Sequence, residues 1–165
     1  MELLALTQRV LEIFECDLDG LGSRLMESLE DESKLDAFAA LGLGVDLLQK
    51  IYQYYLADRK GKKQDFTPQS LAELVDSLAG DCEIYVDLCA GTGALTIQRW
   101  TRNRDQKFEL YEIDEGVVPY LLFNLVVRNI DATVCVGDVL TDEYSRTYIV
   151  AKGERYGRVR VEPAV

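Results

Sequence analysis

The chain has 165 residues, 48% hydrophobic and 28% charged, with a formal net charge of −11. That length fits one domain with room for a helical extension, and the apolar fraction is too high for general disorder. There is no histidine, which excludes serine–histidine and cysteine–histidine nucleophilic catalysis within the chain.

The negative charge argues against unaided binding to nucleic acid, because affinity for phosphates comes mainly from clustered Lys and Arg. No apolar run approaches the ~20 residues that span a membrane. Glu2, Arg9, Glu12 and Glu15 interrupt any secretory signal core. Cys16, Cys82, Cys89 and Cys135 are scattered, without a Cys-x-x-Cys pair, so no metal site is expected. These features predict a reduced, cytoplasmic protein whose cysteines behave as small apolar residues.

Residues 1–60 read as a helical region. Leu3, Leu6, Val10, Ile13 and Phe14 recur at helical spacing, as do Leu21, Leu25 and Leu29. Ser33-Lys34-Leu35-Asp36 resembles a helix start, and Leu41, Val45, Leu48, Tyr52 and Tyr55 would line the following helix, with a possible break at Gly42 and Gly44. The region reads either as a small bundle packed on the rest or as a docking surface for another subunit. Arg59-Lys60-Gly61-Lys62-Lys63-Gln64 follows as a basic hinge, either a solvated linker or a nucleic-acid contact.

The second part, residues 64–165, alternates strand and helix. Thr67 is expected to cap a helix with Pro68 in its first turn, Leu71, Leu74, Val75 and Leu78 on one face, and Gly80 as its stop. Strands are predicted near 83–87, 107–112 and 132–136, with helices near 94–103 and 116–129. This alternation implies an α/β fold, a partial doubly wound, Rossmann-like parallel sheet in the spatial order third, second, first. Tyr148–Lys152 and Arg158–Val161 flank a glycine-bounded loop and read as a carboxy-terminal β-hairpin, so the second half of such a sheet is absent.

The most informative stretch is Asp87-Leu88-Cys89-Ala90-Gly91-Thr92-Gly93, where the first of these strands turns through glycines into a helix. Such turns bind adenosine-containing ligands. Asp87 would repel a pyrophosphate but suits a cation, such as the ammonium beside the sulfonium of S-adenosylmethionine. Thr96 stands where a dinucleotide fingerprint needs its third glycine, and no Gly-Lys-Ser/Thr is present. Glu112 ends the second strand, nineteen positions after Gly93, where an acid takes ribose hydroxyls; Asp114 beside it is the alternative. Asp138 ends the third strand and could accept a bond from an adenine amino group or simply start a turn.

In order, Phe66-Thr67-Pro68, the glycine turn, Glu112, the Asn124-Leu125 pair and Asp138 resemble the amino-terminal half of adenine-specific DNA methyltransferases, in particular the modification subunits of type I restriction systems. The resemblance covers about residues 64–140. It implies bound S-adenosylmethionine, with Phe66 and Thr67 near its methionine end and Asp87, Leu88, Ala90, Gly91 and Gly93 beneath it. Glu112 would then lie on the ribose and Asp138 on the adenine.

The family's Asn/Asp-Pro-Pro-aromatic motif, which holds the flipped target base, is missing: Pro68, Pro119 and Pro163 are the chain's only prolines. No catalytic residue is therefore assigned. The expectation is a protein inactive alone or part of a longer enzyme, reaching DNA only through a partner subunit. A partner chain, a second copy or the carboxy-terminal hairpin would cover the bare edge of the strand bearing Asp87. The alternatives are a non-catalytic module acting on a restriction–modification complex, and a methyltransferase for a small molecule or protein.

Overall fold

The structure is a computed structural model that describes residues 2–62, 64 and 66–163. Lys63 of the basic hinge and the last two residues of the second part lie outside the described residues.

Four short helices come first: α1 (Leu3–Phe14), α2 (Leu21–Glu27), α3 (Glu32–Ala39) and α4 (Leu47–Ile51), the last running into a π-helical turn, Tyr52–Leu56. The suspected break at Gly42 and Gly44 is present, so one predicted helix is two. Asp31, not Ser33, caps α3, its carboxylate accepting from the Ser33 and Lys34 amides. Asp46 caps α4 through the Gln49 amide.

Then come α5 (Gln69–Ala79), β1 (Ile84–Asp87), α6 (Ala94–Arg102), β2 (Lys107–Glu112), α7 (Val118–Val127), β3 (Asp131–Asp138), β4 (Glu143–Ala151) and β5 (Arg158–Pro163). Thr67 does not cap α5: Pro68 holds the N-cap position, without a side-chain bond, and the Thr67 carbonyl accepts from the Gln49 amide.

The fold is α/β, with an open five-stranded mixed sheet in the order β1-β2-β3-β4-β5. The first three strands are parallel, Tyr85 opposite Phe108 and Phe108 opposite Ala132. The carboxy-terminal hairpin does not stand apart. Its first strand pairs antiparallel with β3, so it lengthens the sheet on the side away from β1. It therefore cannot cover the free edge of β1.

Burial alternates along the strands. Tyr85, Phe108, Leu110, Ala132, Val134, Tyr148 and Val150 are buried, while Ile84, Val86 and Lys107 on the opposite face are exposed. The helices thus lie on one face of the sheet and leave the other bare. Parallel sheets are normally covered on both faces, so this layer is half of the usual arrangement.

Helix α7 is apolar on all sides apart from Asn124, and every residue of it except Pro119 is buried. The four amino-terminal helices pack against its outer side. Phe14 and Phe38 each meet Phe123 edge-on, with ring centroids 5.1 Å apart. One hydrophobic core therefore runs from Leu6 to Val150. Among the described residues no helix is long and apolar enough to cross a membrane.

A buried polar network fastens these layers together. The Asp46 carboxylate accepts from Asn124 Nδ2 at 2.9 Å and from the Thr92 hydroxyl at 2.6 Å. Asn124 Nδ2 also donates to the Thr92 carbonyl at 2.8 Å. Arg128 donates to Asn124 Oδ1 and to the Leu43 and Val45 carbonyls. Burial pushes the Asp46 carboxyl up, against the pull of Thr92 and Arg128. Burial likewise lowers Arg128 to about 10, with Asp46 opposing. Both groups depend on their partners, because a buried charge left alone is costly. Asp46→Ala is expected to lower unfolding free energy by about 3–5 kcal/mol in urea titration; a loss under about 1 kcal/mol would show that the network contributes little.

Candidate functional site

The site is built at the carboxy-terminal end of β1. The strand ends at Asp87, and the Cys89 amide donates to its Oδ1 at 3.1 Å, which starts the turn. The Ala90 amide then donates to the Tyr111 carbonyl at 2.9 Å, holding the turn beside β2. Gly91 has φ +55° and Gly93 φ +99°, backbone that favours glycine. A Cβ on Gly93 would also stand 3.0 Å from Leu121 Cδ1, so this residue permits close packing of the turn on α7.

Glu112, at the end of β2, accepts from the Gly91 amide at 2.7 Å and from the Asp114 amide at 2.8 Å. It therefore braces the glycine turn from the neighbouring strand while facing the same space. Asp46 and Asn124 hold Thr92 from behind. The turn is thus fixed on both sides by side chains distant in sequence.

These elements enclose a cavity of ≈ 550 Å³, within the range that takes a cofactor-sized molecule. Phe66, Thr67, Asp87, Ala90, Gly91 and Glu112 line it. Gly93 lies behind it as the N-cap of α6, and Leu88 projects to solvent beside the cavity rather than lining it. Asp138 does not line it either. Its Oδ1 accepts from the Leu140 amide at 2.8 Å and starts the turn into β4.

The basic hinge folds back over this cavity. Lys62 Nζ lies 2.8 Å from Asp114 Oδ2, and the Gln64 amide donates to the same oxygen. Phe66 packs edge-on against Tyr52 at 5.7 Å. The segment is therefore not a detached linker. Lys62, Gln64 and Asp114 line the cavity alongside the expected residues. Lys62 was legible only as part of a charge cluster, because nothing local to it signals a partner fifty-two positions away.

Among the described residues three carboxylates face the cavity, and the one lining cation, Lys62, is paired to the third. Asp114 is buried enough to be pushed up, but Lys62, the Gly116 amide and Gln64 outweigh this and hold it below the usual range. Burial raises Glu112, with the Asp114 and Gly91 amides opposing. Burial also raises Asp87, opposed by the Cys89 amide alone. Asp87 Oδ2 is buried without a hydrogen-bond partner. Such a group is costly unless a donor or cation completes it. The cavity therefore suits a cationic or donor-rich ligand and repels a phosphate.

All four cysteines are free; Cys82 and Cys89 are exposed, and Cys16 and Cys135 are partly buried. Among the described residues no group of His, Cys, Asp or Glu could hold a metal ion. No family model matches the chain, and neither a curated protein nor a solved structure matches it.

The raised Asp87 carboxyl sets a sign. Ionisation is disfavoured in the folded state, so Asp87 reduces stability increasingly as pH rises from its ordinary value through its folded one. Asp87→Asn is expected to raise the melting temperature at pH 7. The gain should vanish below about pH 4, where the acid is neutral in both states. Equal gain at both pH values would contradict the buried-charge account.

Proposed function

We propose that this protein binds S-adenosylmethionine as part of an adenine-specific DNA methyltransferase-like assembly of a restriction–modification type system, and transfers no methyl group alone. The observation that carries this reading is the acid-lined cavity with an unsatisfied Asp87 oxygen beneath a glycine turn. The cofactor has a sulfonium, an ammonium and ribose hydroxyls, all of which a carboxylate-lined cavity favours. When bound, it supplies an electrophilic methyl group.

The residues take distinct roles in this reading. Asp87 holds the cationic methionine end, Phe66 and Thr67 flank it, and Ala90 and Gly91 pass beneath. Glu112 receives the ribose hydroxyls through the capacity its two amide donors leave free. Asp114 is the weaker candidate there, since Lys62 and Gln64 already engage it. Asp138 takes no part in this reading, because it does not line the cavity and its Oδ1 starts the turn into β4. Ligands in parallel sheets sit at the carboxyl ends of the strands, which supports the placement of the site after β1 and β2.

The chain's own residues orient the cofactor and exclude anionic competitors. Nothing in the sequence supplies the paired prolines and aromatic that hold a flipped adenine. Alignment of the acceptor, where much of the acceleration lies, must come from elsewhere. DNA is reached through a partner, given a net charge of −11. A purely non-catalytic interaction module is the second reading, favoured by the bare outer edge of β1.

Calorimetric titration tests the assignment. S-adenosylmethionine should bind with one site per chain, while NAD and ADP should not. Glu112→Ala should weaken binding by roughly ten- to a hundredfold, the scale of hydrogen bonds to a charged group. Affinity should also rise as pH rises through the raised Asp87 value, because a cation favours the ionised acid. Folded protein showing no heat at millimolar ligand would end the proposal.

A further inference from the structure

Asp87 and Glu112 form a pair across neighbouring strands. Asp87 stands opposite Leu110 in the parallel register of β1 and β2, and Glu112 follows Leu110 by two positions on the same buried face. Strand spacing and rise put the two backbones roughly 8 Å apart. Each residue is 9% exposed. Asp87 Oδ1 accepts from the Cys89 amide, while Oδ2 is buried without a partner. Glu112 accepts from the Gly91 amide through Oε2 and from the Asp114 amide through Oε1, both neutral donors. The Lys62 ammonium, which also lines the cavity, is drawn to Asp114 instead, at 2.8 Å.

Phe66, Ala90, Leu95 and Val117 give the same cavity apolar walls. Phe66 closes against the glycine turn, where a Cβ on Gly91 would stand 3.6 Å from its Cε1. Such walls thin the water around a bound molecule, so a charge near the two acids is screened less than in bulk solvent.

We propose that Asp87 and Glu112 are specificity-determining residues that distinguish the sulfonium cofactor from its neutral thioether product, so that the site holds the first and releases the second. The proposal rests on the assignment of the cavity to S-adenosylmethionine. That molecule carries its sulfur midway along the bonds between the methionine ammonium and the ribose hydroxyls. With Asp87 on the ammonium and Glu112 on the ribose, the sulfonium lies between the two acids.

Methyl transfer removes the charge that these acids attract. The acceptor's lone pair forms the new bond to the methyl carbon, the carbon–sulfur bond breaks, and its electron pair stays on sulfur. The positive charge passes to the acceptor, which sheds a proton to solvent, and S-adenosylhomocysteine is left without a net charge. Cofactor and product share the adenosine, the ammonium and the carboxylate, so contacts to those groups do not separate them. The charge on sulfur does, because a carboxylate on either side stabilises it by Coulomb attraction and gains nothing from a thioether. Accumulated product therefore competes weakly for the site.

The test is calorimetric titration of the full chain at pH 8 with S-adenosylmethionine, S-adenosylhomocysteine and sinefungin, an analogue with an ammonium in place of the methylated sulfonium. The two cationic ligands should each bind roughly tenfold or more tighter than the thioether, a fraction of the attraction between unit charges near a protein surface. Asp87→Asn and Glu112→Gln keep the size of each side chain and one acceptor oxygen. Each should lower that ratio by roughly threefold or more, mainly by weakening the cations. Circular dichroism confirms that both variants fold. Equal affinity for cofactor and product would overturn the inference and leave the S-adenosylmethionine assignment standing. Sinefungin binding no tighter than the thioether would also overturn it, since the preference would then lie with the methyl group. An unchanged ratio in both variants would remove the role given to these acids. No heat from any of the three ligands on folded protein would end the assignment itself, and this inference with it.

Discussion

The shape of the glycine turn depends on Asp46. This carboxylate is buried, accepts from the Thr92 hydroxyl and shares Asn124 with Arg128. Through these bonds Asp46 at the cap of α4, Asn124 of α7 and Arg128 at its end position the backbone that follows β1. The arrangement explains why α7, otherwise apolar, carries an asparagine at its centre. An aliphatic residue there would remove the side-chain donor to the Thr92 carbonyl and one of the donors to a buried acid. It also makes the amino-terminal helices part of the site's support. Their packing on Phe123 and their polar link to Thr92 hold the two parts together.

On the open side of that turn the priorities reverse. Asp87 and Glu112 are buried acids raised by desolvation, and Asp87 keeps an oxygen without a partner. A chain selected for stability alone would replace such groups. Beneath the cavity they leave an energetic deficit that the protein's own groups do not remove. The strap carrying Lys62 and Gln64 neutralises Asp114. Charge thus separates the three carboxylates into one paired to a cation and two raised by burial.

The strand-and-helix plan was largely readable from the chain. The period of two in Lys107–Glu112, the uniformly apolar run at Val118–Val127 and the glycines after Asp87 are local signals. So was the cavity's floor, because Asp87, Gly91 and Glu112 are tied to strand ends. Less was readable where a distant partner decides. Thr67 looks like a cap, yet Pro68 takes that position. The leucines of α5 share one face as expected, but only the buried Asp76–Arg99 pair shows that this face is exposed while Ala72 and Asp76 meet α6. The hairpin could be recognised as a hairpin, but not as an extension of the sheet beside β3. The break near Gly42 left Asp46 as a cap residue, and its further role at Thr92 had no local mark.

The sequence by itself determined which segments become strands and helices and that a glycine turn tipped by an acid follows β1, because backbone freedom and hydrophobic period are properties of neighbouring residues. Only the tertiary structure decided which edge of the sheet stays open, which face of α5 meets water and which carboxylates share a cavity. Those outcomes rest on pairings between residues far apart in the chain, where burial gives each hydrogen bond and ion pair its weight.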